Sequence, residues 1–325
     1  MKNKSLNLKK LIYALFILGM VSLVGCKREE LGMKEASGIK RFFAENQTKS
    51  EFFVVNAGVK SSVIGKKGTI IKFEANSLLH QNGTPVTGNV TIELKEVFTK
   101  ADMVKSKIST VSQGRLLISQ GEFYLNAVQS GESLKIKSGK KIDISVPNFN
   151  NAPSSMLFRG DSISNDSTPD PTDTIIDWTL FDSTYIPSIY IDSTNDSIFD
   201  SINNPSIPYF NFLIEGFGWI NLDVIYNAQD TRSLNIVVNG FDGFNCNVFI
   251  VYKDIHSMFE AWYALDVFNA RFIPLNTSVT IVAIGLKDGQ YYSTFKDLTV
   301  TKDESISLDM NPTTENEINQ TLESL

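Results

Sequence analysis

The sequence predicts a mainly β protein: two β-sandwich-like domains joined by an acidic, Ser/Asp-rich connector, with a short C-terminal helix. Three observations carry that expectation. Ile, Val, Thr and Phe dominate the segments in which polar and apolar residues alternate, as half-buried strands require. Turn pairs such as Asn82-Gly83, Ser138-Gly139 and Asp288-Gly289 punctuate those segments. Residues 148–208 break the pattern with a run rich in Asp, Ser and Thr.

The chain begins with a basic stretch (Lys2, Lys4, Lys9, Lys10) and an uncharged, largely apolar run from Leu11 to Val24. That run is short for a membrane span, which needs about 20 residues, and suits the core of an export signal. Leu23-Val24-Gly25-Cys26 follows. It resembles the bacterial lipobox, which implies cleavage before Cys26 and a lipid carried on its sulfur. Residues 1–25 are therefore expected to be a signal peptide, and residues 26–50 a tether. The N-terminal lipid makes the membrane the first expected partner. Lys27-Arg28-Glu29-Glu30 resembles the surface-export signal of Bacteroidota lipoproteins and reads equally as a plain polar tether. Together these features imply a lipid-anchored outer-membrane protein, exposed at the cell surface on the first of those two readings.

Residues 51–147 read as the first β domain. Thr69 to Phe73 is a short strand, and Val90, Ile92 and Leu94 alternate with polar neighbours. Gly121 to Val128 gives another strand. Leu134 and Ile136 pair with Ile142, Ile144 and Val146 across the Ser138-Gly139 turn. The segments 68–73 (GTIIKF), 83–96 (GTPVTGNVTIELKE), 99–103 (TKADM), 116–121 (LLISQG) and 139–147 (GKKIDISVP) resemble a family of Bacteroidota cell-surface lipoproteins of unassigned activity. The first is also distantly similar to the β domain of ankyrins and netrin receptors, a binding module. Segment 216–223 (GFGWINLD) shares the resemblance, but the family's cysteine in that block is replaced here by Leu222. The matching residues are backbone and core positions, so the resemblance implies a fold and no catalytic site.

From Asp161 to Ile202 there are nine Asp and no Glu, Lys or Arg, and a third of the residues are Ser or Thr. Such a segment buries too little apolar surface to offset its ordering entropy. Trp178, Phe181, Tyr185, Ile189, Tyr190 and Phe199 leave room for edge strands laid against a domain. Seven copies of one triplet, Asp-Ser/Thr-(apolar or Thr), place acceptors at Ser162, Ser167, Thr174, Ser183, Ser193, Ser197 and Ser201. The triplet resembles the O-glycosylation acceptor of exported Bacteroidota proteins. The alternative is a Ser/Asp-rich linker with accidental triplets.

Residues 209–311 read as an immunoglobulin-like β domain, beginning with strands at 210–214 and 219–226 and containing a helical insertion at 257–268. Residues 312–325 predict a helix, with Thr314 and Glu317 as a capping box and Ile318, Leu322 and Leu325 on one face.

Chemistry is sparse. The net charge is −6, and removing four lysines with residues 1–25 leaves 26 basic against 36 acidic residues, so nucleic-acid binding is excluded. Cys246 is the one cysteine besides Cys26, which excludes a disulfide framework and a zinc pattern. His80 and His256 lie far apart in sequence, with no nucleophile motif nearby. Glu93 and Glu96 read as strand-surface acids rather than a glycosidase pair. Asp170 and Asp173 lack calcium-loop spacing. No catalytic residue, metal or cofactor is expected. The function expected is a non-enzymatic binding or structural role at the envelope, with another surface protein as partner. The alternative is a glycan-binding accessory protein of a nutrient-uptake system, with Phe241, Phe244, Trp262, Tyr263, Tyr291 and Tyr292 as candidate platforms. A hydrolase is the third reading.

Overall fold

The structure, a computed structural model, describes residues 38–150, 152–164, 174–181, 187–190 and 208–325. It is mainly β, with several sheets and a short C-terminal helix. The first sandwich packs a large sheet, in the order Glu51–Asn56, Asn89–Val97, Arg115–Gln129, Gly218–Ile225, Met156–Ser164, Thr174–Leu180, on a five-stranded sheet. The second sheet runs Ser188–Tyr190, Tyr209–Ile214, Ile142–Pro147, Ile70–Phe73, Ser61–Ile64. Between them lie Ile71, Ile92, Leu94, Phe123, Ile144, Phe210 and Leu222, all fully buried.

The second sandwich uses nine strands. Thr231–Val238 and Glu304–Leu308 run parallel in one sheet, and Cys246–Tyr252, Thr277–Lys287 and Gln290–Val300 form the centre of the other. In Thr277–Lys287, Ile281 and Ala283 point to the sandwich core while Val282 and Ile284 point away from it. Both faces of that strand are therefore apolar and both must be covered.

The covering produces a third core. Val282, Ile284, Phe249 and Val251 on the outside of the second sandwich meet Val97, Leu117, Phe158 and Trp178 on the outer face of the large sheet. Three helices fill the seam: residues 38–46, Lys100–Ser106 and Glu315–Leu322. They contribute Ile39, Phe42, Phe43, Ala101, Met103, Val104, Ile318 and Leu322. Thr314 caps the last helix, with Glu317 completing the box. Asn46 and Asn319 tie the first helix to the last, Asn319 Nδ2 donating to Asn46 Oδ1 at 2.6 Å.

Four sequence expectations are corrected. Residues 209–225 belong to the first sandwich: Ile214 pairs with Ile142, and Trp219 with Tyr124. Phe210, Phe212, Ile220 and Leu222 are needed to close its core, which outweighs their place in sequence. The connector 148–208 is not only a linker: 174–180 and 188–190 are the edge strands its aromatics left room for, and 156–164 is an interior strand of that sandwich. Trp178, with no exposed surface, anchors them through its indole N–H to Ser109 O at 2.8 Å. The tether at 26–50 includes a helix whose Phe42 is fully buried. The expected helix at 257–268 is strand (Met258–Glu260, Trp262–Ala264, Val267–Pro274), because Met258 and Phe259 alternate between the seam and the second core.

Candidate functional site

The residues singled out in the sequence scatter. Leu23, Val24, Gly25 and Cys26 lie outside the described residues, as do Ser167, Ser183, Ser193, Ser197, Ser201, Asp170 and Asp173. Ser162 and Thr174 are exposed on the antiparallel pair Met156–Ser164 and Thr174–Leu180. Among the described residues no helix is long and apolar enough to cross a membrane. Neither do three His, Cys, Asp or Glu side chains there gather into a metal centre.

The six aromatics do not form one platform. Tyr291 packs on Phe42 in the seam, and Phe241 stacks edge-on against Tyr292 with ring centroids 5.2 Å apart. Tyr263 lies against Phe268 and donates its hydroxyl to Asp266 at 3.0 Å. Phe244 is exposed. Trp262 lines a cleft of about 350 Å³ between the sandwiches, with Leu116, Ile176, Tyr252, Phe259 and Phe272. Arg271 stacks over the Trp262 ring at 4.5 Å. At the cleft's inner wall Tyr252, 1% exposed, has a hydroxyl with no hydrogen-bond partner. The cleft is thus mostly apolar, with Arg271, Ser109, Gln113, Asp177 and Glu260 as polar residues in its lining, the usual make-up of a small-ligand site.

The most unusual chemistry sits in the seam. In the large sheet Val97 stands directly opposite Glu122, Glu122 opposite Asn221, and Asn221 opposite Phe158. Directly opposed residues share a face, and Val97 and Phe158 belong to the seam core. Glu122 and Asn221 therefore point into that core. Asp223, two residues beyond Asn221, shares its face. All three are fully buried. The sheet is irregular at this point: the register shifts between Leu222 and Asp223, and Gly121 adopts φ 143. A Cβ on Gly121 would come within 2.8 Å of the Phe98 ring.

Asn221 Nδ2 donates to Asp223 Oδ2 at 2.6 Å. Asn221 Oδ1, Asp223 Oδ1 and both carboxyl oxygens of Glu122 have no partner. Burial pushes the Asp223 carboxyl up to about 8 against the pull of its contacts with the Asn221 and Ser119 side chains and the Gln120 backbone. Burial, then the nearby Asp223 and Asp102, raise Glu122 well above the usual carboxylate range.

His256 clamps the seam beside this cluster. Its Nδ1 lies 2.9 Å from Ser119 O, and its own carbonyl accepts the Ser119 N–H at 2.9 Å. Burial holds its pKa below the usual imidazole value. His80 instead faces Glu132 at 3.7 Å near the surface. Glu93 accepts from Ser50 Oγ, and Glu96 is buried. Glu122, Asn221 and Asp223 carried no sequence signal of their own. An acid alternating with apolar residues in a strand reads as a solvent face, and only the covering helices reverse that.

No family model matches the chain, and a search of curated proteins gives no match.

Proposed function

We propose that this chain is an exported lipoprotein, cleaved before Cys26, held in the outer membrane by lipid on that cysteine, with a non-enzymatic binding role at the envelope. The observation that carries the reading is the N-terminal order of basic stretch, apolar run and Leu-Val-Gly-Cys box. The body supports it. Two sandwiches locked by a helical seam make a rigid scaffold, and a rigid scaffold is what a binding surface needs. The test is Cys26→Ala. Wild type is expected to incorporate labelled palmitate and to fractionate with membranes, and the variant to do neither. Palmitate labelling retained in the variant would overturn the anchor. The acidic triplets, of which Ser162 and Thr174 are exposed, supply glycan acceptors on this reading. Hexose-bearing peptides spanning 161–202 from the native organism test it.

A second reading, glycan binding in nutrient uptake, is favoured by one feature. Trp262 lines the 350 Å³ cleft with Arg271 stacked over its ring. An aromatic face plus a few polar donors suits a sugar ring. A glycan array probed with wild type and Trp262→Ala tests it: binding lost in the variant at unchanged Tm supports the cleft, and no glycan bound by wild type rejects it.

A further inference from the structure

The geometry points to a buried calcium site in the seam, built from the Glu122 carboxylate, the Asn221 amide oxygen and the Asp223 carboxylate. Three facts converge. First, four oxygens, Glu122 Oε1 and Oε2, Asn221 Oδ1 and Asp223 Oδ1, are buried and accept nothing from the protein. An isolated buried carboxylate is expensive, and folded chains keep one only when something answers it. Second, the three side chains occupy one small patch. Glu122 and Asn221 are directly opposed, which places their Cβ atoms about 5 Å apart. Asp223 is the next residue on that face, about 7 Å along the strand. A glutamate side chain spans such distances. Third, among the described residues the side chains directly across the sheet from the three donors are, apart from the donors themselves, uncharged. The patch is flanked by Val97 and Phe158 across the sheet, and Met156 stands opposite Asp223.

The donor chemistry selects the ion. All four donors are hard oxygens, with no imidazole or thiolate among them, which disfavours zinc and copper. Two carboxylates neutralise a divalent charge, and the amide adds a neutral oxygen donor. Glu122 in bidentate mode with Asn221 and Asp223 supplies four of the six to eight oxygens calcium takes. The remainder fall to main-chain carbonyls or trapped water. Magnesium keeps several waters and fits a dry seam poorly. The bulge at Leu222/Asp223 and the positive φ of Gly121 re-aim the strand where the donors meet, a common use of a bulge. The ion would bridge Arg115–Gln129 to Gly218–Ile225 beneath the helices. It would thereby couple calcium to the packing of the two sandwiches.

The experiment uses the full-length chain in detergent. Bound metal is measured by atomic emission after desalting, and Tm by calorimetry in EDTA and in about 5 mM calcium chloride, well above the affinity of weak extracellular sites. A single calcium per chain is expected, with Tm about 5 °C or more higher in calcium than in EDTA. Glu122→Gln and Asp223→Asn keep the shape and remove the charge. In either variant the bound calcium and the calcium response of Tm disappear, while Tm in EDTA stays at or above that of wild type. Wild type without bound calcium, and with equal Tm in EDTA and calcium, overturns the site whether or not the variants fold. A wild-type calcium response that persists in both variants places the ion elsewhere and overturns it too.

Discussion

Glu96 and Glu122 lie on neighbouring strands of one sheet, both buried, and the protein treats them in opposite ways. Glu96 points to the end of the first sandwich, where the turn at 65–69 wraps its carboxylate. Lys67 N–H donates to Oε2 at 2.8 Å and Thr69 N–H to Oε1 at 3.0 Å. It serves as a side-chain substitute for backbone pairing. Glu122 points through the other face into the seam and receives nothing. Burial alone therefore does not identify a functional acid, and the donors around it decide.

One substitution at both sites tests that difference. Glu96→Met strands two N–H groups, and the Thr69 one is fully buried. The expected loss is about 2–4 kcal/mol, measured by urea denaturation. Glu122→Met in calcium-free buffer strands nothing and removes an unanswered acid. It should leave stability unchanged or raise it by about 1–2 kcal/mol. Equal losses at the two sites would mean that Glu122 has a partner in solution.

The clamp beside Glu122 gives a smaller effect. The folded state holds His256 below its unfolded pKa of 6.5. The unfolded chain then binds the proton first, so the contribution of neutral His256 is complete above pH 6.5 and is lost as pH falls below it. Lys100 adds to the depression, while the Ser119 carbonyl and Asp102 oppose it. Glu122 and Asp223 titrate in the opposite sense, so the measurement is the difference between wild type and His256→Gln. That difference should shrink as the pH falls from 7 to 5. A constant difference would make His256 a packing residue only.

The fold class was legible because alternation survives in most strands. The turn at Asn82-Gly83, with Gly83 at φ 89, follows from the same local chemistry. The C-terminal helix was legible because its box, Thr314 with Glu317, is wholly local. Domain boundaries were not. Trp219 to Ile225 pairs with residues about a hundred positions earlier, and no local signal encodes such a pairing. The seam was hidden for a related reason. Phe42, Trp178 and Val282 each read as an ordinary apolar residue, and their shared core exists only once three helices meet two sheets. The candidate cation site inherits that difficulty, since its acids become buried only when the seam closes.

Lys95 offers the smallest and most selective probe of the contrast between the two glutamates. It sits one row from Glu122: Lys95 opposes Tyr124, and Tyr124 opposes Trp219. Its ammonium lies 5.6 Å from the centre of the Trp219 ring and donates to Gln47 Oε1 at 2.6 Å. Burial, with Lys49 adding to it and Glu93 opposing, lowers its pKa to about 8. The unfolded lysine keeps its proton to about 10.4. Between those values the unfolded chain binds more protons, so stability rises with pH across that window. Partial solvent screening trims the effect to a Tm gain of about 1–2 °C between pH 8 and pH 10. Lys95→Met should abolish the gain in calorimetry. If the gain survives in Lys95→Met, another group titrates there. If Tm falls instead, the charged ammonium is stabilised in this row, and the seam face is less hostile to charge than the unanswered Glu122 implies.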